Sequence, residues 1–284
     1  MSSGTIALVL VAAAANAGWN LLVKRVAAGP AFLLLTSVTS TILLAPIGVA
    51  ALLAWDDRSW GRMGVAVLGT SLIHAAYFVM LQRGYRTGEL SVVYPLARGT
   101  GPLLAAAGAL VFLGERPGAV ALVGGAAIVV GVLGLSGLTP SRLRPDQSMV
   151  YGVAVGAAIA AYTLWDRWSV VEVGVPPATY LWLFSAGYGV LIAPWLARDP
   201  AELRRTARVH WRVATAVTVG QAVSYLLILT ILRRAPVSVV APLREVSILM
   251  AAALGARYLG EAVTPRKLAA AGVILAGVAL IAVG

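Results

Sequence analysis

Two arginines carry the clearest chemical signal in this chain. Arg98 and Arg244 each lie two or three residues beyond a proline, Pro95 and Pro242, about a third of the way into a long apolar run. Proline has no N–H to give the preceding turn, so it kinks or breaks a helix at that point. A guanidinium beside a broken helix suits an anionic solute, because its planar fork matches a carboxylate or phosphate. A structural role is the alternative. Arg244 can pair with Glu245 or Asp166, and both arginines can snorkel towards a membrane surface.

Other polar side chains fall within apolar runs. Asn16, Trp19 and Asn20 are spaced i, i+3, i+4, and Tyr162, Trp165 and Asp166 repeat that spacing later in the chain. At that spacing they share one helix face. His74 and Tyr77 are placed like Gln221 and Ser224, with Tyr225 alongside. A polar group at membrane depth costs a few kcal/mol, so it should face a cavity or a partner. These residues are therefore candidates to line a binding pocket, together with Tyr94. For the tryptophans the competing reading is an interfacial anchor, and for His74 a helix-to-helix hydrogen bond. If His74 faces water, it titrates near neutral pH and can tie conformation to protons.

The elements that hold these residues follow from composition. Of 284 residues 60% are apolar and only 12% are charged, against about 25% charged in soluble domains. Mean hydropathy is +0.89. Such a chain has too little charge to cover a soluble surface, so the expected class is an all-α integral membrane protein. Ten stretches are long enough to span about 30 Å of hydrocarbon: Thr5–Val23, Phe32–Ala54, Met63–Leu81, Leu90–Leu113, Gly118–Leu135, Val150–Val171, Thr179–Ala197, Val213–Leu232, Val237–Leu259 and Leu268–Val283. They lack the alternation of barrel strands. The first resembles a signal peptide but has no basic leader and is read as an uncleaved helix.

An internal repeat organises the spans. Ser91-Val-Val-Tyr-Pro-Leu96 recurs as Ser238-Val-Val-Ala-Pro-Leu243, offset by 147 residues with five of six identical. Arg98 to Glu115 aligns with Arg244 to Glu261 at an offset of 146, with eight of eighteen identical, and Trp19-Asn20 falls on Trp165-Asp166. The chain is thus expected to be two five-helix repeats, 1–139 and 149–284, joined by a linker at 140–148. An odd number of spans inverts the second repeat, and inverted repeats place a transporter's site near the midplane between them.

These features resemble the drug/metabolite transporter superfamily, and within it the EamA-like ten-helix exporters. The resemblance rests on Tyr94-Pro95-Leu96-Ala97-Arg98 with Leu113-Gly114-Glu115, and on Ala241-Pro242-Leu243-Arg244-Glu245 with Leu259-Gly260-Glu261. It implies a central cavity between spans 1, 3, 4, 6, 8 and 9, alternating access by rocking of the halves, and small metabolites or amphipathic organics as cargo. The four-helix multidrug relatives use a glutamate in span 1 for proton coupling. Span 1 has no acid here, so that mechanism does not carry over.

The expected function is accordingly export of amino acids or similar amphipathic organics across the bacterial inner membrane. A lipid or isoprenoid-linked flippase or an intramembrane enzyme is the alternative. An enzyme is disfavoured. There is no cysteine, no Gly-x-Ser-x-Gly or His-Glu-x-x-His motif, and the two histidines are far apart, so no catalytic residue, metal site or cofactor is expected. No nucleotide-binding motif suggests direct ATP drive. The net charge of +11 is read as loop charge for membrane topology and not as a nucleic-acid surface. Expected partners are a small-molecule substrate and the lipid bilayer, with a homodimer compatible with the sequence. Six loop arginines fall on the side of the termini and fourteen basic residues on the other, which places both termini outside the cytoplasm. Spans 2, 5, 7 and 10 have few central polar groups and are expected to face lipid.

Overall fold

The computed structural model describes residues 3–26, 30–56, 59–138, 145–196, 199–259 and 263–284. All regular structure among them is helical: α1 (Ser3–Arg25), α2 (Pro30–Leu53), α3 (Trp60–Thr87), α4 (Leu90–Phe112), α5 (Ala119–Ser136), α6 (Gln147–Val171), α7 (Pro177–Leu196), α8 (Pro200–Leu232), α9 (Val237–Arg244), α10 (Val246–Leu259) and α11 (Pro265–Val283). Most of the expected linker, residue 58, residue 198 and the second Gly-Glu pair at 260–261 lie outside the described residues.

Helix starts coincide with sequence punctuation. Asp146 accepts from the Met149 amide at 3.1 Å to cap α6. Asp199 caps α8 through the Ala201 and Glu202 amides at 3.0 Å each, and Pro200 follows in the first turn where its missing donor is harmless. Gly137, in the left-handed region at φ 77°, ends α5.

Nine helical segments, with α9 and α10 taken as one, are long and apolar enough to span a membrane among the described residues. Ten were expected. The remaining helix of that set is α7, with 20 largely apolar residues that include Tyr180, Trp182 and Tyr188. Two helices also outrun the apolar runs that predict them, α3 and α8. α8 has 33 residues, about 50 Å at 1.5 Å per residue. Its first turns therefore carry Arg204, Arg205 and Arg208 as a helical extension ahead of the apolar run Val213–Leu232.

The expected ninth span is interrupted. α9 ends at Arg244, Glu245 is a turn residue, and α10 begins at Val246. α4 stays helical through Pro95 and Pro102. The repeat accounts for the contrast, since its offset falls from 147 to 146 just past the prolines. Losing one residue rotates the rest of a helix by about 100° and shortens it by about 1.5 Å. The break at Glu245 absorbs that change.

The two halves interlock. α4 packs along α6, α5 along α11, α2 along α7, α1 along α8 and α3 along α6. Each of these seams joins the first half to the second. Glycines make the closest approaches: a Cβ on Gly277 would lie 2.6 Å from the Gly124 carbonyl, and one on Gly152 would lie 2.7 Å from Leu96 Cβ. Small residues at such contacts let helix backbones approach closely in a membrane. Two symmetrical groups emerge, α3 with α4 and α6, and α8 with α1 and α9/α10.

Candidate functional site

α4 and α9 pack against each other, and their proline-marked segments bring Arg98 and Glu245 together. Arg98 and Glu245 each stand three residues past a proline, about 12 Å from the start of their helices. Arg98 Nη2 lies 3.0 Å from Glu245 Oε2, with side-chain exposures of 24% and 7%. It also approaches Ser247 Oγ at 3.5 Å. The pair is a single close contact, since Arg98 Nε has no hydrogen-bond partner and the Nη2–Oε2 approach is not aligned as a hydrogen bond.

A small cavity surrounds this pair, lined by Ala12, Ala13, Asn16, Arg98, Ser224, Ile228, Arg244, Glu245 and Ser247, with about 20 Å³ of room for water. That suffices for about one water molecule. Ser224 donates to the Ala12 carbonyl at 2.9 Å, fastening α8 to α1 on one wall. Arg244 is half-buried and has no ion-pair partner among the described residues. Sequence reasoning offered Glu245 or Asp166 as its partner. In the structure Glu245 faces Arg98, and Asp166 is held by hydroxyls.

Those hydroxyls form a second cluster. Asp166 is 2% exposed and accepts from Tyr180 at 2.6 Å, from Thr70 at 2.9 Å and from Tyr225. Three O–H donors replace the hydration that a buried carboxylate loses. His74 joins through Thr70: its Nδ1 is 2.9 Å from the Thr70 carbonyl and 3.2 Å from Oγ1. The His74 ring stacks on Tyr162 at 4.2 Å and lies 4.4 Å from Phe184. Tyr77 meets Tyr162 edge to face at 6.1 Å. Tyr162 connects the clusters, within electrostatic reach of Arg98, Arg244, Glu245 and Asp166.

The remaining candidates lie elsewhere. Trp19 packs over Gly220 of α8 in an apolar cluster with Phe32 and Val217. Trp165 sits against Gly69 of α3 and donates to the Ala66 carbonyl at 2.9 Å. The matched tryptophans thus fill matched helix seams. Asn20 donates to Asn16 Oδ1 at 3.1 Å and to the Asn16 carbonyl at 2.8 Å, so it supports Asn16 and is absent from the cavity wall. Gln221 is half-buried on α8, and Tyr94 is 41% exposed.

Several participants were missed by sequence reasoning. Thr70 stands one turn before His74, a signal that was available. Tyr180 gave none, because α7 was expected to face lipid. It is instead fully buried, and the α2–α7 seam is polar: Ser37 donates to the Ser185 carbonyl at 2.8 Å, and Ser40 Oγ lies 3.0 Å from Ser185 Oγ. Glu115, marked in the sequence only by the repeated Leu-Gly-Glu, has a definite partner. Its carboxylate accepts from the Val237 amide at 2.7 Å, the Ser238 amide at 2.9 Å and the Ser238 hydroxyl at 2.6 Å. It therefore caps α9 from the opposite half.

Comparison with known proteins bears on the whole of this architecture. The sequence model of the EamA-like transporter family matches residues 147–283. No curated protein matches the chain. Solved structures do, in 29 chains. One, described only as the crystal structure of a protein, superposes with a TM-score of 0.77 at 20% identity, over 99% of this chain and 96% of its own. At that identity the likeness is one of fold. Residues 147–283, just under half of the chain, match the EamA-like transporter family, which supports membership of the drug/metabolite transporter superfamily, and the apolar helices make the chain a multi-pass membrane protein.

Proposed function

We propose that this protein is a secondary transporter that exports small amphipathic organic solutes, amino acids among them, across the bacterial inner membrane by alternating access. The observation that carries the reading is the polar cavity deep between α1, α4, α8 and the α9/α10 break. A transporter of this architecture is expected to place its solute beside an interrupted helix. His74, Tyr77 and Tyr162 supply an aromatic surface beside the charged groups, the usual pairing in small-molecule sites.

The cavity's size supports a moving carrier. Drug-sized solutes need about 300 Å³ or more, and the space is about 20 Å³. Solute can enter only if the walls separate. The contacts that must part join the two helix groups: Arg98 to Glu245, Tyr225 to Asp166, and Glu115 to the start of α9. Because the halves interlock, the bodies that rock are these mixed groups and not the sequence halves. The inverted repeat then makes the two openings near mirror images in energy.

The test is flux into proteoliposomes of purified protein, with a labelled panel of amino acids and aromatic carboxylates, with and without a pH gradient. Saturable uptake of at least one member is expected. Rates equal to those of protein-free liposomes across the panel would refute the reading.

A further inference from the structure

Glu245 is an unusual wall for a pocket with two guanidinium groups. We propose that it is a tethered counter-anion: it occupies Arg98 while the site is empty, and a solute carrying one net negative charge displaces it. This rests on the transport reading and assigns it a substrate class. The charges on the cavity wall are Arg98, Arg244 and Glu245, a net charge of one positive. A monoanionic solute neutralises that wall, whereas a zwitterion leaves it charged.

Three observations support displacement over a fixed structural pair. The pair rests on one contact, Arg98 Nη2 to Glu245 Oε2 at 3.0 Å, which is not aligned as a hydrogen bond, and the buried Nε of Arg98 has no hydrogen-bond partner. A pair retained for stability should have those positions satisfied, since a half-satisfied buried pair is costly. Glu245 also sits at the helix break, where a turn residue can swing without unwinding a continuous helix. Finally, Arg244 already stands on the wall without an ion-pair partner among the described residues. An incoming carboxylate therefore meets one available guanidinium before competing for the second, and Arg can take a carboxylate in bidentate fashion. Once Glu245 leaves, the contact between the helix groups breaks as the solute binds, so occupancy and opening are linked. When no anion is present the pair re-forms and the cavity shuts.

The test is binding to the full-length protein in nanodiscs, followed by intrinsic tryptophan fluorescence. The probes are phenylacetate (monoanion), L-phenylalanine (zwitterion) and 2-phenylethanol (neutral). Glu245→Gln removes the competitor and keeps the shape, so phenylacetate should bind about tenfold more tightly than to wild type, as expected for loss of a close charge competitor. Phenylethanol should be unaffected. Glu245→Asp, which retains the charge but shortens the reach, should tighten phenylacetate by a smaller factor, and it serves if the glutamine variant fails to fold.

Unchanged or weaker phenylacetate binding in these variants would overturn the proposal, as would no binding to any of the proteins. Equal gains for phenylethanol would also overturn it, because they would report only a roomier pocket. Weaker L-phenylalanine binding in Glu245→Gln without a phenylacetate gain would overturn it too, and would make Glu245 an ammonium ligand. The transport reading fails separately, by absence of flux. Saturable flux with no Glu245 effect leaves transport standing and removes only the counter-anion role.

Discussion

Within the cavity, the energetics depend on which charges have partners. Removing one member of a buried ion pair strands the other, at about 3–5 kcal/mol. Arg98 retains 24% side-chain exposure, so solvent screening should place its loss near the lower bound, about 3 kcal/mol. Arg98→Ala is therefore expected to lower the melting temperature in detergent well below that of Arg98→Met/Glu245→Leu, where both charges leave together. Equal melting temperatures for the two would show that the pair contributes no coupling. The importance of Arg98, Arg244 and Glu245 was legible from the sequence, because a charge within an apolar run is too costly to keep without a cavity or a counter-charge. The pairing was not. Arg244 and Glu245 are chain neighbours, and only the crossing of α4 with α9 reveals that Glu245 faces Arg98. Asp166 was likewise visible as a buried acid, but its Tyr180 donor depends on the packing of α7, which no local pattern encodes.

Elements show a different balance. Cap residues, glycine stops and apolar runs located most helices, while the length of α8 went unread because an amphiphilic basic extension resembles a loop when only hydropathy is followed. The α9/α10 break was half-visible as one residue missing from the repeat. Glu115 sharpens the role of α9 in particular. A carboxylate at a helix N-terminus satisfies orphan amides and favours the helix dipole, and here it comes from the turn after α4, where Gly114 takes φ 64°. Glu115→Ala should cost about 1–2 kcal/mol of local stability, as loss of a good N-cap does. Amide hydrogen exchange at Val237 and Ser238 should then quicken by roughly tenfold, while exchange in α5 and α11 stays the same. An unchanged rate at those amides would remove Glu115 as the latch between α4 and α9.

At the scale of the molecule, the interlocked halves decide which motions are possible. α2 packs with α8, and α7 packs with α3, so the α2–α7 seam lies between the two groups proposed to move. The chain has no cysteine, which allows that seam to be locked cleanly. Ser40→Cys/Ser185→Cys replaces hydroxyls 3.0 Å apart. Oxidation should arrest flux and a reductant should restore it; full flux with a complete cross-link would show that the seam stays still. The repeat in the sequence suggests ten helices in two related sets, but it could not show that the helices of residues 1–139 pack mainly on those of residues 149–284. That arrangement puts Arg98 and Glu245 on opposing groups, and under the proposed mechanism the cavity is both the solute site and the contact that must part. The most direct test is uptake of labelled phenylacetate and L-phenylalanine into proteoliposomes by wild type and Arg244→Ala. Wild type is expected to take up at least one of the two solutes saturably. The variant is expected to show a kcat/KM lower by about tenfold or more, with a melting temperature near that of wild type. Wild-type rates no faster than protein-free liposomes for both solutes, or undiminished uptake by Arg244→Ala, would contradict a charged central site.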